Sequence, residues 1–382
     1  MITRADADKL RNLRASTSAV LSVYLPVPLD LAKHRGLPTR ARELIKSAAG
    51  RERDGHRAQV GEADLESVVR TVAARSYDWL GRTAAIFASA EIGLLEALPL
   101  PGGLAEQAII ARRPHIRPLL ASVQRNPAYR AALVDAKHAW ILSIAGDQIE
   151  TIAERTVPGV RSAGFAGWYG LEGYRIQQRI MELSRQHFRD TISILERSAG
   201  GGNLPLVLGG HENEISQFVA ALPRAVRQTV AGTFSVDLQT ATPGRVRELA
   251  GNVIASWSQR SEQQLVRDVL NQPPHVSVTT GLDGCLAASR ARAVAQLIVP
   301  DDQMIPGFAC NTCGALSSER DCDCADPAEA CRAVPDLLDE LADRTLDGGG
   351  QVTAVRDPPF TAAARLRFPV AAARPPSASR LP

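Results

Sequence analysis

The chain has 382 residues, 45% of them hydrophobic, and a formal net charge of only +3. That length allows two or three domains of ordinary size with an ample core. No apolar run approaches the roughly 18–20 residues of a membrane span, and residues 1–14 (MITRADADKLRNLR) lack the apolar centre of a secretory signal. The chain therefore reads as cytoplasmic, without membrane contact, and its six cysteines as reduced or metal-bound rather than paired.

The charge is unevenly placed. Residues 112–137 carry Arg112, Arg113, Arg117, Arg125, Arg130 and Lys137 against one acid, Asp135. Residues 319–347 carry ten acids against three arginines, and residues 361–382 carry four arginines and no acid. Such asymmetry points to a polyanion at one end of the molecule and a different partner, a protein met through the acidic C-terminal part, at the other. Ordinary solvated surface is the alternative.

In chain order, AVLSVYLPVP (19–28) alternates and is rich in β-formers, which predicts a strand closed by proline. ARELIKSAAGRERDGHRAQV and LESVVRTVAARSYDWL read as helices, TAAIFASAEIGLLEALPLP as strand, turn, strand, and RPHIRPLLASVQRNP as a short helix stopped by Asn-Pro. These make a first unit, residues 1–128.

A second unit, 129–240, opens with two strands joined by a turn in YRAALVDAKHAWILSIAGDQIETIAERTVP. An irregular loop, VRSAGFAGWYGLEG, leads into a long helix over 174–197. A buried strand and a helix follow in LPLVLGGHENEISQFVAAL. His211-Glu212 in that segment lacks the second histidine of a zinc protease motif and reads as a turn after a strand.

A third unit, 241–365, starts with a helix for which Pro243 suits the first turn. Helix and strand follow in TTGLDGCLAASRARAVAQLIVPDD, then a cysteine-rich insert at 309–332, then helix, glycine turn and strand in ACRAVPDLLDELADRTLDGGGQVTAVRD. Residues 366–382, Pro/Ala/Ser/Arg-rich, read as a flexible tail. The predicted class is mixed α/β (α+β): three domains, each a small sheet with packed helices.

The insert holds Cys310, Cys313, Cys322, Cys324 and Cys331, with Gly314 after the first pair, as in a zinc knuckle. Tetrahedral zinc takes four thiolates or imidazoles, so a structural Zn²⁺ is expected, with the first pair contributing and the other two ligands open. Cys285 falls on the apolar face of a helix and reads as core.

Taken together, LSVYLP with GRTAAIFAS and IRPLL, then AALVDAKHAWIL with the loop, long helix and LPLVLGGHENEISQF, then TTGLDGCLAASRARAVAQLIV and LLDELADRTLDGGGQVTAV resemble the bacterial branch of the archaeo-eukaryotic release factor superfamily. The resemblance covers roughly 20–360 and lies in the order of the segments more than in any one. It implies a ribosome-associated protein of translation that occupies the tRNA site, in rescue, stalling response or hibernation. A peptidyl-tRNA or related ester hydrolase is the alternative, as is an RNA-binding module acting off the ribosome. LIKS at 44–47 resembles the family's codon-reading tetrapeptide, but its first residue differs and Leu44 and Ile45 fit a helix face.

In that family the catalytic Gly-Gly-Gln stands on the loop before the long helix of the second domain. Here the matching loop carries Gly167, Trp168, Tyr169, Gly170, Glu172 and Gly173 and no such triplet. Glu172 stands about where the glutamine would be. A carboxylate repels a developing oxyanion, so weak or absent release is expected, with Glu172 as a general base on water the alternative. Gly349-Gly350-Gln351 lies in the third unit and reads as a helix-ending turn.

On the long helix, at about 100° per residue, Arg175, Arg179, Arg185 and Arg189 share a stripe roughly 120° wide, interrupted by Glu182. Guanidinium forks suit phosphate oxygens, so this stripe is a candidate RNA contact. Met181, Phe188, Ile192 and Leu195 are placed on the opposite side.

Overall fold

The computed structural model describes residues 4–16, 19–51, 60–157, 170–198, 204–272, 277–320 and 331–370. The N-terminal segment contains α1 (Arg4–Arg11), β1 (Val20–Pro26), α2 (Leu37–Arg51), α3 (Glu62–Arg75), β2 (Thr83–Ser89), β3 (Leu94–Leu100), β4 (Gln107–Ala111) and α4 (Arg117–Arg125). Its sheet is antiparallel throughout, in the order β3-β2-β1-β4. Alternation along β1 sorts the core: Leu21, Val23 and Leu25 pack with Ala41 and Ile45 of α2 and Val68 and Val72 of α3, while Tyr24 faces the other way. Ile45 is buried there, as a helix-face residue should be. The strand β4 and the helix α1 were not anticipated from the sequence.

The middle segment contains β5 (Tyr129–Val134), β6 (His138–Ala145), β7 (Gln148–Thr156), α5 (Gly170–Arg197), β8 (Leu206–Gly210), α6 (Glu212–Ala221), α7 (Arg224–Arg227), β9 (Val230–Ser235) and α8 (Pro243–Leu270). The mixed sheet runs β7-β6-β5-β8-β9, with β5, β8 and β9 parallel and the first hairpins antiparallel. Three strands, not two, precede α5, because Gly146 at φ 60 turns the chain between β6 and β7. Ala132 and Val134 pack on Phe188, Ile192 and Leu195 of α5 and on Phe218 of α6. Tyr129, Ala131 and Leu133 face Val246, Ala250 and Ile254 of α8.

The last segment contains β10 (Val278–Thr280), α9 (Leu282–Arg290), β11 (Val294–Pro300), β12 (Gly307–Cys310), β13 (Leu316–Ser317), β14 (Cys331–Val334), α10 (Leu337–Asp347), β15 (Gln351–Val355) and β16 (Ala363–Leu366). Its main sheet has the order β10-β16-β11-β15, and the insert forms a separate small antiparallel sheet, β13-β12-β14. The expected tail boundary is corrected: β16 lies inside the sheet, paired to both β10 and β11, and it includes Leu366. Ala363 and Ala364 are fully buried. An alanine-rich strand carries no β-forming signature, and only its neighbours recruit it.

The chain divides into two compact units rather than three domains. One spans 125–261; the other joins 2–124 to 262–382. The boundary expected at 241 falls inside the protein's central unit, because the first part of α8 belongs to that unit's core. The first and last segments share one hydrophobic cluster, in which Tyr24, Phe87 and Leu119 meet Leu297, Leu338 and Leu341.

A buried ion network ties these two segments. Arg117 and Asp336 are each almost wholly buried, with Nη2 donating to Oδ2 at 2.6 Å, and Arg117 also donates to the carbonyls of Pro300 and Gln303. His115 lies 3.3 Å from Asp339, and Arg113 pairs with Glu340 at 3.0 Å and with Asp343. Arg113 and Arg117 of the basic stretch and Asp336, Glu340 and Asp343 of the acidic one therefore meet each other inside the fold, and Asp336, Asp339 and Asp343, being buried, are not part of a partner surface. Arg130 is buried as well, donating to the carbonyl of Leu195.

Burial opposes the charge of Asp339, but His115, Arg117 and Arg113 around it hold its pKa below the ordinary value. Burial, reinforced by Asp339, pushes the Asp343 carboxyl up to about 8. From about pH 4, where a free aspartate titrates, up to about 8, the folded state holds a proton that the unfolded chain has released. The stability from this group is full below that window and lost as pH rises through its upper end. Denaturant midpoints should therefore fall from mildly acidic to alkaline pH. They should fall less in Asp343→Asn, which keeps the neutral form.

Candidate functional site

The helix α5 is the element on which the sequence placed most of its chemistry. It begins at Gly170, earlier than the expected 174, so Gly170, Glu172, Gly173 and Arg175 lie on helical backbone rather than in a loop or at its edge. Nothing in that stretch forbids helix: Leu171 and Glu172 are good formers, and two glycines weaken a helix by about 1 kcal/mol each without breaking it. Gly167, Trp168 and Tyr169 lie outside the described residues, as do the side chains of Glu172 and Arg175.

Further along, Arg179, Arg185 and Arg189 are exposed on one face. Arg189 reaches Glu182 at 3.1 Å and Arg185 lies 4.0 Å from it, so one carboxylate is shared between two guanidiniums. Phe188, Ile192 and Leu195 hold the opposite face in the core, Phe188 meeting Phe218 edge-on at 5.2 Å between ring centres. Met181, expected with them, is 53% exposed. It sits two turns before Phe188 and is not part of that cluster.

Sequence reading missed a polar group beside α5. Asp135, after β5, accepts N–H bonds from Lys137 and His138 and lies 2.9 Å from His138 Nδ1. Burial raises the cost of its charge, but the His138 ring and the two backbone donors hold its pKa below the ordinary value. Ser184 donates to Ala136 O, and Glu214 of α6 accepts from Ala136 N. His187 is buried with neither ring nitrogen bonded among the described residues, and burial lowers its pKa. No spacing rule links 135, 187 and 214; the sheet brings them together. His211 is the N-cap residue of α6, with Glu212 and Glu214 in the first turn where acids suit the helix dipole.

Gly349-Gly350-Gln351 is a turn. Gly349 has φ 70, its N–H donates to Leu346 O, and Gly350 N–H donates to Thr345 O. This is the pattern by which a helix ends on a left-handed residue. Gln351 starts β15.

In the insert, Cys310 Sγ accepts the N–H groups of Thr312 and Cys313, and Cys313 Sγ accepts that of Ala315, each at 3.4 Å. Backbone amides turned toward sulfur in this way stabilise thiolates. Cys331 faces Cys310 across the β12–β14 pair. The donors fit a thiolate-bound zinc, although among the described residues no group of three or more His, Cys, Asp or Glu side chains is arranged to hold a metal. Cys322 and Cys324 lie outside the described residues. Cys285 is fully buried, and burial pushes its thiol up to about 12.

Residues 114–255 match the family model described as bacterial archaeo-eukaryotic release factor family 10. No curated protein matches the chain. Among solved structures, an archaeal translation termination factor is similar at 15% identity, over 96% of this chain and 99% of that one, with a TM-score of 0.26. Pelota of Archaeoglobus fulgidus is similar at 16% identity, over 76% and 80%, with a TM-score of 0.36. A ribosome-bound archaeal Pelota is similar at 13% identity, over 97% and 95%, with a TM-score of 0.41. At these scores the structural likenesses carry no weight for function. Among the described residues, no helix is long and apolar enough to cross a membrane.

If Gly349 serves as a helix stop, Gly349→Ala should lower unfolding free energy by about 1–2 kcal/mol, the cost of a left-handed residue with a Cβ. Gly350→Ala should cost more, because its Cβ would lie 2.9 Å from Thr345 O and 3.1 Å from Ala295 O. Equilibrium denaturation of the two variants measures both.

Proposed function

We propose, from the match of residues 114–255 to a release-factor-like family model, that this chain acts on the ribosome in translation. In this reading it occupies the site that takes tRNA, in rescue, stalling response or hibernation, without efficient peptide release. The family match carries the reading, since it spans the central sheet and α5. Two features support it. The segment before and at the start of α5 lacks Gly-Gly-Gln and carries Glu172, whose charge opposes an oxyanion. Exposed Arg179, Arg185 and Arg189 present guanidiniums on a helix anchored by its other face.

Phosphate contacts release counterions, so binding should weaken steeply with salt. Arg179→Ala with Arg185→Ala and Arg189→Ala should weaken co-sedimentation with ribosomes. It should also flatten the salt dependence by roughly one unit of log–log slope for each phosphate no longer neutralised. Unchanged affinity and slope would remove α5 from the interface. Peptide release from loaded ribosomes that disappears in Glu172→Gln would replace this reading with that of a hydrolase.

We propose also that the insert holds a structural zinc through Cys310, Cys313 and Cys331, with the remaining ligand supplied by Cys322 or Cys324. Zinc would hold the small sheet's hairpins together where there is little apolar core. Elemental analysis of untagged protein should find about one zinc per chain. Cys310→Ser should lose it and lower the melting temperature. Metal-free protein with every thiol reactive would refute the site.

A further inference from the structure

Two helices of the last segment, α9 and α10, end in the same hydrogen-bond pattern beside one cavity of about 580 Å³. At the end of α10, Gly349 takes the left-handed position at φ 70. At the end of α9 the equivalent position is Arg292, at φ 55, with Arg292 N–H donating to Ser289 O and Ala293 N–H to Ala288 O. The α9 cap is closed by backbone donors, so the Arg292 side chain contributes nothing to the helix stop. A residue with a Cβ is strained in this conformation and glycine is not. A strained backbone position held by a side chain that the helix stop does not use is an outlier from which a functional hypothesis can be drawn.

Arg290, Arg292 and Arg344 all line the cavity. The side chains of Arg290 and Arg292 are exposed and make no ion pair or hydrogen bond among the described residues. Arg344 donates to Gly314 O at the cavity wall, which fixes its guanidinium there. The acid at the rim, Asp347, is already paired with Arg11 at 3.2 Å and lies 4.0 Å from Arg14. The carbonyl of Gly348, at the end of α10, accepts from Arg367 at 2.8 Å. Placement in the last turn of a helix accounts for Arg290 and Arg344 through the helix dipole. It does not account for Arg292, which lies beyond the helix and takes the strained conformation.

We propose that this cavity binds a phosphate group, with Arg292 as its specific contact and Arg290 and Arg344 beside it. Guanidiniums brought from separate turns suit the three divergent oxygens of a phosphate better than the planar pair of a carboxylate. The phosphate is that of a free mononucleotide or of an RNA backbone. The site is independent of α5.

The test uses the full zinc-loaded chain carrying Arg179→Ala, Arg185→Ala and Arg189→Ala, so that α5 does not contribute. Calorimetric titration is run with inorganic phosphate, adenosine monophosphate and a short single-stranded RNA. At least one probe should bind. Arg292→Gly should weaken that binding tenfold or more while raising the melting temperature, a combination that no loss of fold produces. Arg290→Gln should weaken binding with the melting temperature unchanged. Binding of the mononucleotide identifies a small-molecule site, and binding of RNA alone identifies a backbone contact. Failure of all three probes at millimolar concentration, or affinities unchanged by both substitutions, overturns the proposal.

Discussion

The buried pair between Arg117 and Asp336 is the constraint on which the larger unit rests. It links residues 219 apart in sequence. A guanidinium taken out of water is tolerable only if it is well partnered, and here two carbonyls and a carboxylate meet the terminal nitrogens, while Nε has no partner among the described residues. Asp336 does double duty, because its other oxygen accepts from Leu338 N and so starts α10. Removing one partner would leave the other charge buried and unpaired, at a cost of about 3–5 kcal/mol. Tyr24, His115 and Gln124 continue the seam: Tyr24 donates to His115 O, and Gln124 bridges Val352 O and Ala354 N.

That seam decides what the surface can do. Arg113 and Arg117 are used on Asp336, Glu340 and Asp343 and not on a partner. Exposed arginines stand on the outer face of α5 and at the cavity beside α9 and α10. The two sites differ in kind. The face of α5 is an open helix surface with a carboxylate inside its stripe, suited to an extended phosphate backbone. The cavity beside α9 and α10 is concave and has its one acid already paired, suited to a single phosphate.

The paired ends of α9 and α10 show why a local rule is most informative where it is broken. Gly349 and Arg292 occupy the same position in the same motif. The glycine satisfies the backbone and needs no further account. The arginine satisfies the backbone less well and places a free cation at the cavity, and this difference separates a turn from a site.

Periodicity and punctuation determined much of the fold: β1, β2 and β3, the long helices α5 and α8, the glycine turn after α10, and the core position of Cys285. These follow from local physics, since side-chain period, Pro at a helix start and Gly past a helix end act over a few residues. The cysteine spacing and the family order were legible for the same reason. The tertiary structure alone decided that β16, an alanine-rich strand, lies within a sheet. It alone decided that the first and last segments form one unit, and that Arg113 and Arg117 face Asp336, Glu340 and Asp343 instead of a partner. A charge run in sequence specifies only that charge must be solvated or paired. Whether water or an opposite charge more than two hundred residues away does so depends on which surfaces the apolar core brings together, and no local pattern records that.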